Sequence, residues 1–310
     1  MNHLGPLSFV LAGVTLGAIL LEVLAYAFIF KRPYGWRAAL ASLGVIVGRS
    51  FTRLLPITLT LPGAYWLYEH RLFEASSHGV GSWVALFFGI EFLYYWYHRL
   101  GHRSRWFWLS HAVHHTSNEL NFLAAGRLAW TAQLTGVYVI FSPLALFGFS
   151  PETILAGYAL NLSYQFWIHA EWMPKLGPLE GILNTPSSHR VHHAANVDYL
   201  DANYGGVIVL FDRLFGTYVA EREDLPCQYG LVHPLRTHNP LKIVFHQFGP
   251  FLRDLRSARS LREVWGYLFA PPGWRPDGDS ETTADLRRKA AAEKQAAAPS
   301  DVYEAGYLQG

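Results

Sequence analysis

Long apolar segments alternate with short polar ones over the first 175 residues of the chain. Residues 4–30 are apolar apart from Glu22, and this stretch is longer than the apolar core of a signal peptide. Four later segments have a similar character, namely 38–61, 79–97, 128–149 and 153–172. Stretches of about 20 apolar residues are typical of transmembrane helices. The pattern therefore predicts about five spans within residues 1–175.

Positive charge sets the expected orientation of these spans. A basic stretch, residues 31–37, follows the first span directly, and cytoplasmic loops carry an excess of lysine and arginine. The N-terminus is therefore expected outside, which places residues 98–115 on the cytoplasmic side. Arg49 and Arg53 interrupt the second segment and either snorkel to the interface or face a protein interior.

The remaining sequence is more polar. Residues 176–275, in which Thr185 and Pro186 signal a helix start, are predicted to form a cytoplasmic cap. Residues 240–262 are amphipathic with spaced arginines, which suits either the membrane surface or packing against the protein's own core. Residues 276–310 are predicted to be a flexible tail. The expected fold class is an all-α, polytopic helical membrane protein with a cytoplasmic helical cap.

Composition narrows the classes of function. The chain is 51% hydrophobic and 15% charged, against a usual charged share of about 25%, which favours a membrane protein. The formal net charge of +2 is too small to indicate a nucleic-acid partner. Cys227 is the only cysteine in the sequence, so an internal disulfide and a cysteine-ligated iron–sulfur cluster are excluded.

Nine histidines are the strongest candidates for chemistry. Residues three and four apart share one face of a helix, so clustered histidines can present their rings together. One transition metal rarely takes more than about six ligands, and imidazole suits zinc, copper, iron and nickel. Nine imidazoles therefore indicate two metal ions rather than a set of unrelated structural histidines. The nine are His98, His102, His111, His114, His115, His169, His189, His192 and His193.

The histidine motifs and their surroundings together resemble the fatty acid hydroxylase and sterol desaturase superfamily. Residues 98–102 read H-x3-H, and the two later clusters each read H-x2-H-H. Residues 184–193 (NTPSSHRVHH) resemble a family signature, as does the stretch from residue 203 to residue 217. Residues 165–171 (QFWIHAE) resemble the branch that contains alkylglycerol monooxygenase.

The resemblance implies a di-iron oxygenase in the membrane, with the nine histidines as catalytic metal ligands. Zinc is a possible replacement for iron in purified protein. Some members have a further histidine where this chain has Gln165, so Gln165 is expected either to bind the cofactor weakly or through water, or to leave the site one ligand short. Glu91 is a second candidate cofactor-binding residue, because an acid at membrane depth is a functional candidate. The alternative for Glu91 is a buried acid hydrogen-bonded to a tyrosine or histidine.

The implied reaction is the hydroxylation of a lipid C–H bond with O2 and external electrons. Desaturation of a lipid or sterol, and cleavage of an ether lipid such as an alkylglycerol, remain alternatives. The sequence contains no cysteine cluster and no nucleotide-binding fingerprint, so a separate ferredoxin or cytochrome with its reductase is expected as electron donor. A bis-histidine haem carrier or a metal transporter would place its ligands near mid-membrane, unlike these clusters. The expected location is the bilayer of a bacterial inner membrane, with the active site on the cytoplasmic side.

Overall fold

The computed structural model describes residues 5–52, 57–74, 79–132 and 135–297. Within these ranges the regular structure is helical, and β-pairing is limited to three isolated bridges. The predicted all-α class is confirmed. Arg53 and residues 298–310 of the predicted tail lie outside the described residues.

Helices of very different length make up the N-terminal half of the chain. The long ones are α1 (Gly5–Leu24), α2 (Trp36–Thr52), α3 (Ile57–Glu69), α4 (Val80–Arg103), α5 (Arg105–His115) and α9 (Pro151–Trp167). A π-helical turn (Ala25–Phe30) continues α1. Three short helices lie between α5 and α9, namely α6 (Phe122–Ala125), α7 (Val137–Phe141) and α8 (Pro143–Leu146).

The C-terminal half contains shorter helices separated by loops. After a 3-10 turn (Gly177–Leu179) come α10 (Pro186–His192), α11 (Leu210–Leu214), α12 (Pro240–Phe245), α13 (Phe248–Ser257), α14 (Leu261–Phe269) and α15 (Thr283–Ala297). In α15, Arg287 donates a hydrogen bond of 2.6 Å to the carbonyl oxygen of Leu200. The division into residues 1–175, 176–275 and 276–310 stays a prediction.

The predicted spans fit the helices unevenly. Within the described residues one helix, Ala12–Phe30, is long and apolar enough to cross a membrane, and its position near the N-terminus is also that of a signal sequence. Residues 79–97 and 153–172 coincide largely with α4 and α9. The five-span topology is therefore not confirmed.

Residues 128–149 correct one prediction, because they do not form a continuous helix. Gly136 has a left-handed backbone (φ 89°) immediately before α7. Pro143 then begins α8, where its missing N–H and fixed φ suit a first helical position but cannot continue the preceding helix. The segment is apolar, as predicted, but Gly136 and Pro143 divide its backbone into short helices.

Two apolar clusters hold the long helices around α4 and α5. One combines Leu86 and Ile90 of α4 with Leu144 of α8 and Ile154 of α9. Fully burying a side chain of this size stabilises the fold by about 1.5–3 kcal/mol. The other cluster joins α2, α5 and α12, and its buried members are Ala41, Val45, Val113, Ala129, Ile243 and Val244.

Glu22, the one charged residue of the first apolar segment, makes its hydrogen bonds inside the protein. Glu22 is buried, and its carboxylate accepts hydrogen bonds from Tyr34 Oη (2.8 Å), Phe122 N (2.9 Å) and Trp172 Nε1 (3.2 Å). These donors come from three separate parts of the chain. Glu22 therefore fastens α1 to α6 and to the segment after α9, beside the histidine clusters.

Candidate metal centre

α4 and α5 bring the first two histidine clusters together. The extended residue Ser104 (φ −132°, ψ 127°) separates the two helices and lets α5 fold back on the end of α4. His98 Nε2 then lies 3.1 Å from His111 Nε2. Gly101 permits this approach, because a Cβ at that position would lie 3.1 Å from the His111 ring.

α10 carries the third cluster and begins as predicted. Thr185 is the N-cap and accepts a hydrogen bond from Ser188 N (3.2 Å), and Pro186 lies in the first helical positions. Asn184 Nδ2 donates to the carbonyl oxygen of Gly205 (2.7 Å), which ties the helix start to the loop after residue 200. The helix and its C-cap present His189, His192 and His193.

All nine predicted histidines meet in two groups, within each of which the candidate ligand atoms lie within 4.8 Å of one another. Group 1 consists of His98, His102, His111, His115 and His192. Group 2 consists of His114, His169, His189 and His193. The groups adjoin, because the rings of His115 and His193 stack with centroids 4.5 Å apart. Glu91 belongs to neither group.

Backbone carbonyl groups orient three of the rings. Nδ1 of His98 lies 2.9 Å from the Tyr204 oxygen, and Nδ1 of His192 lies 2.9 Å from the Ala202 oxygen. In group 2, Nδ1 of His169 lies 2.8 Å from the Gln165 oxygen. A carbonyl oxygen only accepts, so Nδ1 carries the proton in each ring. Nε2 is then left with its lone pair directed to the group, as metal-binding histidines require.

The loop that supplies two of these carbonyls has an unusual backbone. Asp201 (φ 57°) and Asn203 (φ 58°) are left-handed, a conformation that aspartate and asparagine tolerate better than most residues. Asn203 Nδ2 donates to the oxygens of Ser188 (2.9 Å) and Val219 (2.8 Å). Asp201 Oδ1 also lies 3.6 Å from His102 Nδ1. The sequence reasoning did not identify Asp201, although an Asp-x-Asn turn is a recognisable signal.

The donor set fits metal ions. Nε2 of His102 and of His192 are buried and have no hydrogen-bond partner among the described residues, and such atoms are costly unless something binds them. Neighbouring Nε2 atoms lie 3.0 Å apart for His189 and His193 and 3.3 Å apart for His114 and His169. Nitrogens bound at about 2.0–2.1 Å are separated by about 2.9 Å at octahedral and about 3.3 Å at tetrahedral angles. The observed separations match this range.

The electrostatics favour neutral imidazoles. Burial, reinforced by neighbouring imidazoles, lowers the pKa of His111, His189 and His193 well below the usual value for histidine. A metal ligand must be deprotonated before it binds. The protein thus holds these rings in the protonation state that metal binding needs.

Gln165 and Glu91 belong to a hydrogen-bond network beside group 2. Gln165 Oε1 accepts from Tyr94 Oη (2.8 Å), and its Nε2 donates to Asn161 Oδ1 (2.6 Å). Asn161 Nδ2 donates in turn to Glu91, whose other oxygen accepts from the N–H groups of residues 207 and 208 (2.9 and 3.0 Å). Glu91 therefore holds the turn at residues 207–208 in place. This matches the alternative of a buried, hydrogen-bonded acid, although its partners are an asparagine and two backbone N–H groups where a tyrosine or histidine was expected. The carboxylate of Glu91 is thus occupied by protein donors and lies outside both histidine groups.

A cavity of about 590 Å³ reaches both groups from one side. Its wall includes His98 and His111 of group 1 and His114 and His169 of group 2. The rest of the wall is largely apolar and comes from α1, α2, α4, α6 and α9. This volume lies within the range of about 300–1,000 Å³ that is usual for ligand sites.

A smaller cavity of about 260 Å³ touches group 1 alone. Three of its wall residues are His102, His115 and His192, and Asp201 lies beside them. His233, which is not one of the nine predicted ligands, also lines this cavity and lies outside both groups. Both of these cavities thus reach group 1, and of the two the large one also reaches group 2.

Comparisons with known proteins agree with this geometry. The fatty acid hydroxylase family matches residues 83–217, a range that contains all nine histidines. The alkylglycerol monooxygenase of Homo sapiens is 36% identical over 260 residues, which cover 83% of this chain and 58% of that protein. The same enzyme of Xenopus tropicalis is 35% identical over 241 residues (78% and 52%).

A more distant relative is the ornithine lipid hydroxylase OlsE of Rhizobium tropici, 32% identical over 128 residues (41% of this chain and 39% of that protein). The chain spans about half the length of the curated relatives it matches. No solved structure matches the chain.

Proposed function

The chain belongs to the fatty acid hydroxylase family, and from this we propose that it is a membrane-bound oxygenase that hydroxylates a C–H bond of a lipid with O2 and external electrons. The proposed cofactor is a pair of iron ions, one in each histidine group, which zinc can replace on purification. The proposed ligands are the five histidines of group 1 and the four of group 2.

The observation that carries the proposal is the shared cavity. Its wall contains histidines of both groups and is otherwise mainly apolar. An alkyl or acyl chain in this cavity would lie against the proposed metal pair, away from bulk water. Polar substrates would lose hydration there without replacement partners, which favours lipids.

The protein's part in the reaction is to position the metal ligands and to exclude water. Bound iron would supply the activation of O2 that side chains cannot perform. Carbonyl groups of Ala202, Tyr204 and Gln165 fix the tautomer and orientation of three imidazoles. The apolar wall keeps water away from the reacting carbon, which limits side reactions.

Electrons are proposed to come from a separate protein. The sequence has one cysteine, Cys227, and so cannot ligate an iron–sulfur cluster of its own. A ferredoxin, or a small cytochrome with its reductase, is the proposed donor class. Purified protein should form oxygenated product only when such a donor system is added.

The proposed location is the inner membrane of a bacterium, with the histidine groups on the cytoplasmic side. The basic stretch after the first apolar helix supports this orientation. With Cys227 replaced by serine, a cysteine introduced at Asn118 should be labelled from the cytoplasmic face only. Labelling of that position from the outer face would contradict the orientation.

The test of the function is lipid mass spectrometry of cells that express the chain or its His111→Ala variant. The wild type should add one oxygen atom to a lipid, and the variant should not. His238→Ala is the matched control, because His238 is exposed and lies outside both groups. A product that lacks two hydrogens would instead indicate a desaturase, and an aldehyde with a shortened glycerolipid would indicate ether cleavage. No lipid change at all would contradict the proposal.

A further inference from the structure

One cation lines the large cavity away from the histidines. Arg49 of α2 contributes to the wall, together with the hydroxyl-bearing residues Thr15 of α1 and Ser50 of α2. Arg49 is half-buried and Ser50 is exposed, so this part of the wall lies at the mouth of the cavity. Ile19 and Ile46 flank it with apolar surface.

Arg49 has no ion pair or side-chain hydrogen bond within the part of the chain that the structure describes. Arg127 shows the contrast; its chain neighbours Gly126 and Leu128 line the cavity, but Arg127 itself does not. Its guanidinium donates to Ser42 Oγ (3.0 Å), the Ala38 oxygen (3.0 Å) and Thr116 Oγ1 (3.2 Å). Arg127 is therefore a structural cation, whereas the five N–H donors of Arg49 have no acceptor among the described residues.

The position of Arg49 sets it apart from the metal centre. Ser42, in the second turn of α2, is linked through Arg127 to Thr116, the residue after His115. Arg49 lies seven residues further along α2, which is about 10 Å along the helix axis. A ligand that reached from Arg49 to the histidines would thus place at the histidines a carbon atom that is well separated from its polar end.

We propose that Arg49 forms a subsite for the anionic end, a carboxylate or a phosphate, of a lipid whose alkyl chain occupies the large cavity. A guanidinium pairs with these groups through two parallel hydrogen bonds, which are strong and directional. The apolar surroundings strengthen the pairing because they screen charge less than water does. The role in substrate positioning rests on the proposed function, whereas the binding does not.

Binding by the purified full-length protein in nanodiscs tests this subsite. The ligands are palmitate, hexadecyl phosphate, neutral hexadecanol and hexadecylammonium, which share one alkyl chain and differ in charge. In Arg49→Gln, binding of palmitate or hexadecyl phosphate should weaken about tenfold or more, and hexadecanol binding should stay within about twofold. Whichever anion loses more identifies the source as a fatty acid or a phospholipid.

Two further variants sharpen the test. Arg49→Glu should prefer hexadecylammonium, and Arg49→Lys should keep most of the preference for anions. Arg37→Gln is the matched control, because Arg37 is exposed on the same helix and does not line the cavity. Metal content equal to that of the wild type will show that each variant is folded.

Equal weakening for hexadecanol and for the anions in Arg49→Gln, or no weakening of either, would overturn the subsite. The proposed function fails separately. If anion binding depended on Arg49 but no oxygenated lipid formed, the subsite would be supported and the oxygenase function contradicted. If oxygenated lipid formed but anion binding did not depend on Arg49, the function would be supported and the subsite contradicted.

Discussion

The two histidine groups share two helices but are supported by different parts of the chain. Group 1 is oriented by the carbonyls of Ala202 and Tyr204 in a strained loop. In group 2, the ring oriented by a carbonyl is that of His169, in the turn that follows α9. Nδ1 of His114 and of His189 are buried and have no hydrogen-bond partner among the described residues. Group 1 therefore depends on a loop, whereas group 2 depends on how the turn after α9 places His169 against the rings of His114 and His189.

The number of ligands sharpens the difference. Group 1 has five imidazoles and group 2 has four. Structural zinc sites are held by four protein ligands and catalytic ones by three, so the loss of one ring leaves group 1 with four imidazoles and group 2 with three. Group 2 is therefore expected to be the less tolerant of losing one ring.

The largest expected effect follows from removing one histidine of each group. His169→Ala should lower the metal content of iron-reconstituted protein from about two ions per chain to about one, and should abolish product. His102→Ala should keep close to two ions, because four imidazoles remain in group 1. Elemental analysis of the purified variants measures this.

His246→Ala serves as the control, since His246 is partly buried, bonds the Ile243 oxygen and belongs to neither group. If His102→Ala and His169→Ala lost equal amounts of metal, the two groups would not differ in the way proposed here.

Sequence spacing predicted which residues could meet, but not which would share a group. The pairs His98 and His102, His111 and His115, and His189 and His193 are each four apart, and each pair stays within one group. The third ring of each later cluster, His114 or His192, belongs to the other group. Residues four apart share a helix face, whereas the partner of the remaining ring depends on how α5 and α10 pack. No local pattern contains that information.

The same limit applies to Glu91 and Gln165, the two polar residues that the sequence analysis assigned to the cofactor. Their identity as buried polar groups was predictable, because a charged or amide side chain in an apolar segment must find a partner. The partners of Glu91, at residues 161, 207 and 208, come from distant segments. Hydropathy likewise indicated apolar residues 128–149, but Gly136 and Pro143 break that segment into short helices.

A smaller effect is expected from loosening the loop that supports group 1. Asn203→Ala removes the donors to the Ser188 and Val219 oxygens and leaves alanine in a left-handed conformation that it tolerates poorly. Metal affinity of group 1 should fall about 10–100-fold, which is typical when an outer partner of a ligand is lost. Competition with a chelator, followed by metal analysis, should show one ion released early and one retained.

Asn196→Ala is the matched control, because Asn196 bonds the Pro226 oxygen and does not adjoin either group. Early release of both ions from Asn203→Ala would mean that the loop supports both groups. That result would contradict the conclusion that the loop supports group 1 alone.

The smallest expected effect concerns Gln165, which the sequence placed beside His169 as a weak ligand. Its side chain is hydrogen-bonded to Tyr94 and Asn161, and its backbone carbonyl oxygen lies 2.8 Å from His169 Nδ1. Gln165→Ala keeps that carbonyl, so about two ions per chain should remain. The buried Tyr94 hydroxyl and Asn161 amide lose a partner, which should lower the free energy of unfolding by about 1–3 kcal/mol.

Thermal or denaturant unfolding of the protein in detergent, together with metal analysis, separates these effects. Gln165→His should retain or raise the metal content, because it places another imidazole on the cavity wall near group 2. If its turnover fell while the metal stayed, the large cavity would need an open position at residue 165 for O2 or the lipid. If Gln165→Ala instead lost metal as completely as His169→Ala, the amide would be a ligand of group 2. The two groups would then be equal in ligand number, and the greater sensitivity expected of group 2 would lose its basis.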